Sequence, residues 1–341
     1  MKNILVIFVF LVLTSSFCQS QDLVCGTPSA VCDSATASLL HGIRNSRSIN
    51  LNRDTIYFRI QIHIIRNSYH TTSLVLDSLQ KDLQDLNVYY KPAAIQFYMC
   101  NSYNYIDNSQ YYTFHDSDEA SLRNTYNDIY AINIYFASQV YIGTATYAGY
   151  SYCPTSSMSP NFIIISNEYV RKMTLIHEMG HFFNLLHTHD HTMGYELVNG
   201  SNCETAGDLC CDTPADPQLS NSNVNTLCQY TGTSTDANGD LYVPDPHNIM
   251  SYSRKICRDL FTSDQYERMR DAAYLPNRQI LCNHQTVLGN GSITSDTTIT
   301  NDFVTIDNYY MNADSIRINA CKYIKLNQSV TLQKGVFLQS Q

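Results

Sequence analysis

The chain has 341 residues, with 21 Lys and Arg against 30 Asp and Glu and a net charge of −9. That length leaves room for one large domain and a small one. A mildly acidic chain with few lysines and no cluster of Lys and Arg argues against nucleic-acid binding and against anionic membrane surfaces, while 26 tyrosines and abundant Asn, Ser and Thr suit an extracellular protein.

Lys2 is followed by an apolar run from Ile4 to Leu13 and then by Thr14, Ser15 and Ser16. A charged start, a short apolar core and small polar residues predict a secretory signal peptide over 1–20, too short to span a membrane. No later segment approaches the roughly 18 consecutive apolar residues of a membrane helix. Residues 21–50, with Arg44 and Arg47 as cleavable basic sites, read as a propeptide-like segment. Twelve cysteines in an exported chain imply disulfides. Loss of Cys18 with the leader leaves an odd number, so one thiol is free, intermolecular or functional. Cys25 stands ahead of the large domain; it is read either as a thiolate ligand for a metal or as half of a short bridge to Cys32.

Residues 55–65 alternate as a strand does. Over 73–90, Leu74, Leu79, Leu83, Leu86 and Tyr90 fall near helical spacing, and Pro92 follows the end of that helix. Strands are expected at 94–100, 131–137 and 161–166. The Gly-, Thr- and Tyr-rich stretch 141–152 suits an edge strand, which would hold an extended peptide by backbone pairing. The long segment 188–260 has little periodicity. Thr262 and Gln265 form a capping box that opens a last helix reaching about Ala273. After Cys282 the chain becomes Thr-, Ser- and Asn-rich with alternating apolar positions such as Ile316, Ile318, Ile324 and Leu326, predicting a small β module over 283–341.

The chemistry lies in His177-Glu178-Met179-Gly180-His181, followed by His187. On a helix, His177 and His181 are one turn apart and point from one face, where two imidazole nitrogens can bind one Zn²⁺. His187 becomes a third ligand only if the helix stops and the chain turns back, and Asn184 tolerates the positive φ of such a turn. Three protein ligands leave a fourth position open, as in a catalytic zinc site. Glu178, rotated off the ligand face, reaches a water there as general base. Val170, Met173, Ile176 and Phe183 recur at helical spacing, so part of this segment is core. Gly180, which costs about 1 kcal/mol of helix propensity, either permits close packing or leaves room near the metal. His189 and His191 exceed the ligand set and are expected on a solvated loop.

His-Glu-x-x-His-x-x-Asn-x-x-His resembles the metzincin zinc endopeptidases. Asn248-Ile249-Met250-Ser251-Tyr252 is similar to their Met-turn, and the resemblance implies that Tyr252 contacts the zinc or the tetrahedral intermediate. Gly207-Asp208 and Asp212-Thr213-Pro214 before the Met-turn, then Cys257, Phe261-Thr262, Gln265 and Arg268-Met269 after it, resemble the pappalysin family over about 50–282. Asn184, where that family usually has Gly, and the adjacent Cys210-Cys211 depart from the pattern.

The resemblance implies an α+β, metzincin-like zinc protease fold: a twisted mixed sheet with long helices, an active-site helix and a Cys-rich irregular lower half. The catalytic domain would occupy 51–282, followed by the C-terminal β module. It implies a secreted, extracellular zinc metalloendopeptidase acting on protein or peptide substrates, with His177, His181 and His187 on the metal and Glu178 and Tyr252 catalytic. It also implies bridges Cys203–Cys228 and either Cys210 or Cys211 with Cys257, and calcium near Asp208 and Thr213. Metzincin propeptides often block the open coordination position, the role that Cys25 would then take. The alternative is a surface binding or adhesion protein on a metzincin scaffold; the presence of Glu178 favours the enzyme.

Overall fold

The computed structural model describes residues 23–27, 40, 43, 54–154, 160–282, 284–327, 329–333 and 335–340. The expected leader 1–20, together with Cys32, Arg44 and Arg47, lies outside the described residues.

In chain order the first part comprises β1 (Ile56–Arg66), α1 (Leu76–Tyr90), β2 (Ile95–Tyr98), β3 (Asn104–Asp107), α2 (Ser109–Tyr112), β4 (Thr113–His115) and α3 (Glu119–Tyr126). It continues with β5 (Ile132–Ala137), β6 (Gln139–Ile142), β7 (Ala145–Tyr147), β8 (Gly149–Ser151), β9 (Ile163–Ser166) and α4 (Thr174–Phe182). The main sheet runs β2-β1-β5-β9-β8, with β3 also on β1. All its pairs are parallel except β8 with β9. Parallel strands bury both faces, and β5 and β9 are buried throughout.

Helix α1 buries Leu79, Leu86 and Tyr90, and the chain turns out of it through Pro92 and Ala94 (φ 52°). These side chains join Phe58, Ile62, Ile134, Ile165, Met179 and Phe183 in one core between the sheet and α4. The expected edge strand over 141–152 is divided. Gly143, at φ 58°, turns β6 back on β7 as a tight hairpin, and β8 alone forms the sheet edge. The elements within 104–126 had no periodic signature in the sequence.

The segment from His187 to Leu260 is almost wholly irregular and leads into α5 (Ser263–Ala272) and α6 (Pro276–Gln279). The capping box is present: Thr262 Oγ1 accepts from Gln265 N and Gln265 Oε1 accepts from Thr262 N. Bridges differ from those the resemblance implied. Cys203 pairs with Cys211, and Cys228 pairs with Cys257. Their Cα separations, 5.0 and 5.5 Å, fit a disulfide. Cys210, the inward member of the adjacent pair, is a buried free thiol.

The C-terminal part is β10 (Gln285–Ile293), β11 (Thr297–Met311), β12 (Ile316–Leu326), β13 (Thr331–Leu332) and β14 (Val336–Ser340), with every pairing parallel. Thr297 lies opposite Ile316, and Ile316 opposite Val336, so the chain repeats its path about every twenty residues. A register shift between Asn301 and Phe303 interrupts β11: its first part pairs with the start of β12, and its second part with both β10 and the end of β12. The strands form one parallel sheet, with Val304, Ile306, Ile316 and Ile318 in a buried cluster. Cys100–Cys321 ties it to the main sheet, where the Tyr98 hydroxyl donates to Asp302 at 2.8 Å.

Candidate active site

Helix α4 is buried at every residue, from Thr174 to Phe182. Its end is set by Asn184, in the left-handed region at φ 70°. There Asn184 N donates to His181 O and Leu185 N to Gly180 O, closing the last turn. Arginines satisfy the carbonyls left at this end. Arg278 donates to Phe182 O at 3.0 and 2.9 Å, and Arg268 Nε to Asn184 O at 2.6 Å. After the turn, residues 185–187 come back beneath the helix.

His177, His181 and His187 therefore converge. Their Nε2 atoms are 3.2 Å (177–181), 3.0 Å (181–187) and 3.3 Å (177–187) apart. His177 Nδ1 lies 2.7 Å from Ile249 O and His181 Nδ1 2.7 Å from Leu185 O. A carbonyl only accepts, so both Nδ1 atoms carry the proton and both Nε2 lone pairs point inward. Burial pushes all three imidazoles below their ordinary pKa, His181 to about 4. Neutral, unprotonated nitrogens facing one another repel unless a cation lies between them. This donor set fits Zn²⁺, which takes neutral imidazole nitrogens.

Glu178 is fully buried beside the triad. Its Oε2 accepts from Thr27 Oγ1 at 2.8 Å, and Cys25 Sγ lies 3.4 Å away; Oε1 has no partner among the described residues. Burial raises its pKa to about 7, against the lowering effect of the Cys25, Thr27 and Ser151 hydrogen bonds. Ser151 Oγ, on β8, donates to Glu178 O at 2.7 Å and fixes the helix against the sheet edge.

The floor is Met250. A Cβ on Gly180 would come within 2.7 Å of Met250 Sδ, so the glycine is there for close packing. Asn248 Oδ1 accepts from Met250 N at 2.8 Å, and the Asn248 amide pairs reciprocally with that of Gln265 at 3.1 and 3.2 Å. The capping residue of α5 thus also holds the turn beneath the triad, a long-range role that the sequence did not signal. The Tyr252 ring packs edge-on against His187, with centroids 4.6 Å apart, and its hydroxyl donates to Cys25 O at 3.0 Å.

Residues 23–27 lie along β8. Gly26 N donates to Gly149 O at 2.8 Å and Ala148 N to Val24 O at 2.9 Å, a parallel pairing. Cys25 is a free thiol, and its Sγ with the three Nε2 atoms forms a four-atom cluster within 4.8 Å. The alternative partner, Cys32, lies outside the described residues. His189 is not on a solvated loop as expected: it stacks on His187 with centroids 5.0 Å apart, and burial lowers its pKa to about 3.

Residues 115–274 match the family model Peptidase_M43, described as pregnancy-associated plasma protein-A. An extracellular metalloprotease of Pyricularia oryzae is 25% identical over 297 residues, covering 78% of this chain and 95% of its own. One from Arthroderma benhamiae is 28% identical over 227 residues, covering 61% and 74%. Among solved structures, a promirolysin mutant from Tannerella forsythia aligns with TM-score 0.49 and 17% identity over 76% of this chain and 96% of that one. Mature mirolysin in complex with a cleaved peptide aligns with TM-score 0.48 and 18% identity, over 67% and 96%. Over residues 115–274 the chain is thus similar to the pappalysin-type metallopeptidases, and the relatives it matches over much of its length are extracellular metalloproteases.

Proposed function

We propose that this is a secreted, extracellular zinc endopeptidase, latent while residues 23–27 lie in the cleft, with His177, His181 and His187 as metal ligands, Glu178 as general base and Tyr252 as a catalytic hydrogen-bond donor. The observation that carries this reading is the convergence of three inward Nε2 atoms beside the buried Glu178 carboxyl. Zinc, when bound, supplies Lewis acidity that makes water a nucleophile near neutral pH. Glu178 takes the proton of the attacking water and passes it to the leaving amine. The Tyr252 hydroxyl, which bonds Cys25 O in the latent form, turns to the oxygen on which negative charge develops. An extended substrate pairs with the edge of β8 once residues 23–27 have left it.

The Cys25 thiol at the triad supports a latency switch, with release by cleavage near Arg44 or Arg47. Export is supported by the three disulfides, by relatives named as extracellular metalloproteases, and by the sequence of 1–20. No helix among the described residues is long and apolar enough to cross a membrane. For calcium, the support is a pair of carboxylate oxygens with no partner among the described residues, Glu196 Oε2 and Asp208 Oδ2. The Thr213 hydroxyl donates to Asp208 Oδ1 at 2.7 Å.

The test uses the full chain. Elemental analysis should find one zinc per molecule, and His187→Ala should lose both the metal and peptide cleavage after processing. Cys25→Ala should be active without processing. A Cys25→Ala protein as silent as the precursor, yet active once processed, would end the switch reading while leaving the peptidase intact. Thermal stability unmoved by a calcium-selective chelator would remove calcium.

A further inference from the structure

The C-terminal sheet has one face outside its core. Strand alternation buries Ile316 and Ile318 and puts Arg317 and Asn319 on the other face. Register aligns Thr298, Arg317 and Phe337 in one row across the strands, and Thr300, Asn319 and Gln339 in the next. Phe337 is 56% exposed, and the Arg317 guanidinium lies 5.4 Å from the centre of its ring. Thr300, Asn319 and Gln339 line a cavity of about 360 Å³, whose wall also includes Arg59, Asn101 and Asp302. The cavity therefore lies where the C-terminal sheet meets the first part of the chain.

The hydrogen-bonding capacity left in this cavity is neutral. Its two charged groups are engaged: Arg59 lies 3.0 Å from Asp128 and 3.8 Å from Asp302, and Asp302 accepts from the Tyr98 hydroxyl at 2.8 Å. The Asn101 amide donates to Gln61 Oε1 at 3.1 Å, and the Asn319 amide to Thr300 Oγ1 at 3.5 Å. Both of these amides keep an acceptor oxygen, and the exposed Gln339 amide offers donors and an acceptor. Arg59 opposes a cation there and Asp302 opposes an anion. A hydroxyl, which donates and accepts without charge, matches what remains.

We propose that this face and its cavity form a binding site for a neutral polysaccharide, a function separate from peptide cleavage. Successive members of a row stand about 4.8 Å apart on neighbouring strands, close to the advance of one sugar residue in an extended glycan. The Asn319 and Gln339 amides hydrogen-bond sugar hydroxyls. The exposed Phe337 ring gives the apolar face of a pyranose a flat surface to stack on. Phe337 and Gln339 are two residues apart on one strand, about 6.6 Å, so a short stretch of glycan reaches both.

The experiment measures retention of the full chain on insoluble cellulose, chitin and mannan, at low and at high salt. At least one polymer should retain it, and salt should change that little, because no ion pair to the ligand is involved. Asn319→Ala combined with Gln339→Ala should weaken retention by about tenfold or more, the loss of two hydrogen bonds. Phe337→Ala should weaken it by several fold. Cleavage of a short soluble peptide by the same variants, once processed, should keep its original rate. Gln339→Ala alone, at an exposed position, repeats the comparison if the double variant melts early. No retention on any of the three polymers, retention unmoved by these substitutions, or retention abolished by salt overturns the proposal. Loss of peptide cleavage in step with retention also overturns it, since the face would then belong to the peptide site.

Discussion

Residues 54–187 and 188–260 hold themselves together by different means. The first region is two sheets and helices whose backbone groups bond one another and whose apolar faces pack into two large clusters. The second has short isolated bridges, such as Val224 with Tyr230 and Thr235 with Leu241, and a core of only Leu219, Val224 and Cys257 with their partly buried neighbours. Disulfides and side-chain hydrogen bonds to backbone take the place of ladders, as where Asp236 accepts from Val198 N, Asn238 N and Asp240 N. The histidine triad stands at the seam, with His177 and His181 on the helix and His187 at the start of the irregular part. The Met250 turn reaches it from the second region. Regular structure thus carries two of the three imidazoles and Glu178, and the stapled loop supplies the floor.

The largest expected effect separates chemistry from scaffold. Glu178→Ala should keep zinc and fold, since it removes a buried carboxylate and leaves His177 and His181 on their helix. Cleavage by the processed protein should fall by about 10²–10⁴-fold, the usual contribution of a general base. Turnover within a few fold of the original would assign proton transfer elsewhere. Tyr252→Phe should then lower kcat more than it raises KM, because its hydroxyl matters as charge develops; a change confined to KM would leave Tyr252 a binding residue.

A smaller effect strikes the second region alone. The Cys228–Cys257 bridge closes a loop of sequence separation 29. Loop-closure entropy gives such a bridge about 3–4 kcal/mol. Replacing both cysteines by serine should lower Tm and open 218–257 to proteolysis, while amide exchange in β1 and β5 stays slow. Simultaneous loosening of the sheet would mean that the two regions unfold as one unit.

What was legible from sequence follows the same division. His177, Glu178, His181 and His187 were readable because their geometry is local: one helical turn, one reversal at Asn184. Strand β1 was readable from its alternation, and β5 and β9 because buried parallel strands are largely apolar runs. Disulfide partners were not, because pairing depends on how an aperiodic loop folds, and adjacent Cys210 and Cys211 offer two candidates of which only Cys211 faces Cys203. The grip of Gln265 on Asn248, and of Arg278 on Phe182 O, joins residues far apart in sequence and leaves no trace in spacing. The C-terminal module was readable as β, but not as a parallel sheet, since alternation is the same in parallel and antiparallel pairs.

Acid should probe the first region. His63 on β1 lies between Asn133 and Asn104, each contact 2.9 Å, and stacks on Tyr135. Burial lowers its pKa from 6.5 to about 4. Between these values the unfolded chain binds a proton that the folded chain refuses. The stability is therefore complete above about 6.5 and is lost as pH falls toward 4, by roughly 3 kcal/mol from this group. His63→Gln should remove that share of the acid limb in denaturant titrations at pH 7 and pH 4.5. An acid limb identical to that of the original protein would show that His63 titrates normally in the fold.

The smallest effect lies at the seam. Asn184 holds φ 70° where the helix ends and the chain returns to bring in His187. Glycine adopts that conformation freely, and asparagine tolerates it; a side chain with only Cβ carries a penalty of about 1–2 kcal/mol. Asn184→Gly should therefore change stability by less than about 0.5 kcal/mol and leave zinc affinity in place. Asn184→Ala should be destabilising by about 1 kcal/mol, and should also weaken zinc, because strain relieved at 184 displaces His187 rather than the helical ligands. Measuring Tm with and without bound zinc separates the two effects. An Ala variant as stable as the Gly variant in both states would mean that the turn is held by its surroundings and not by the conformational preference of residue 184.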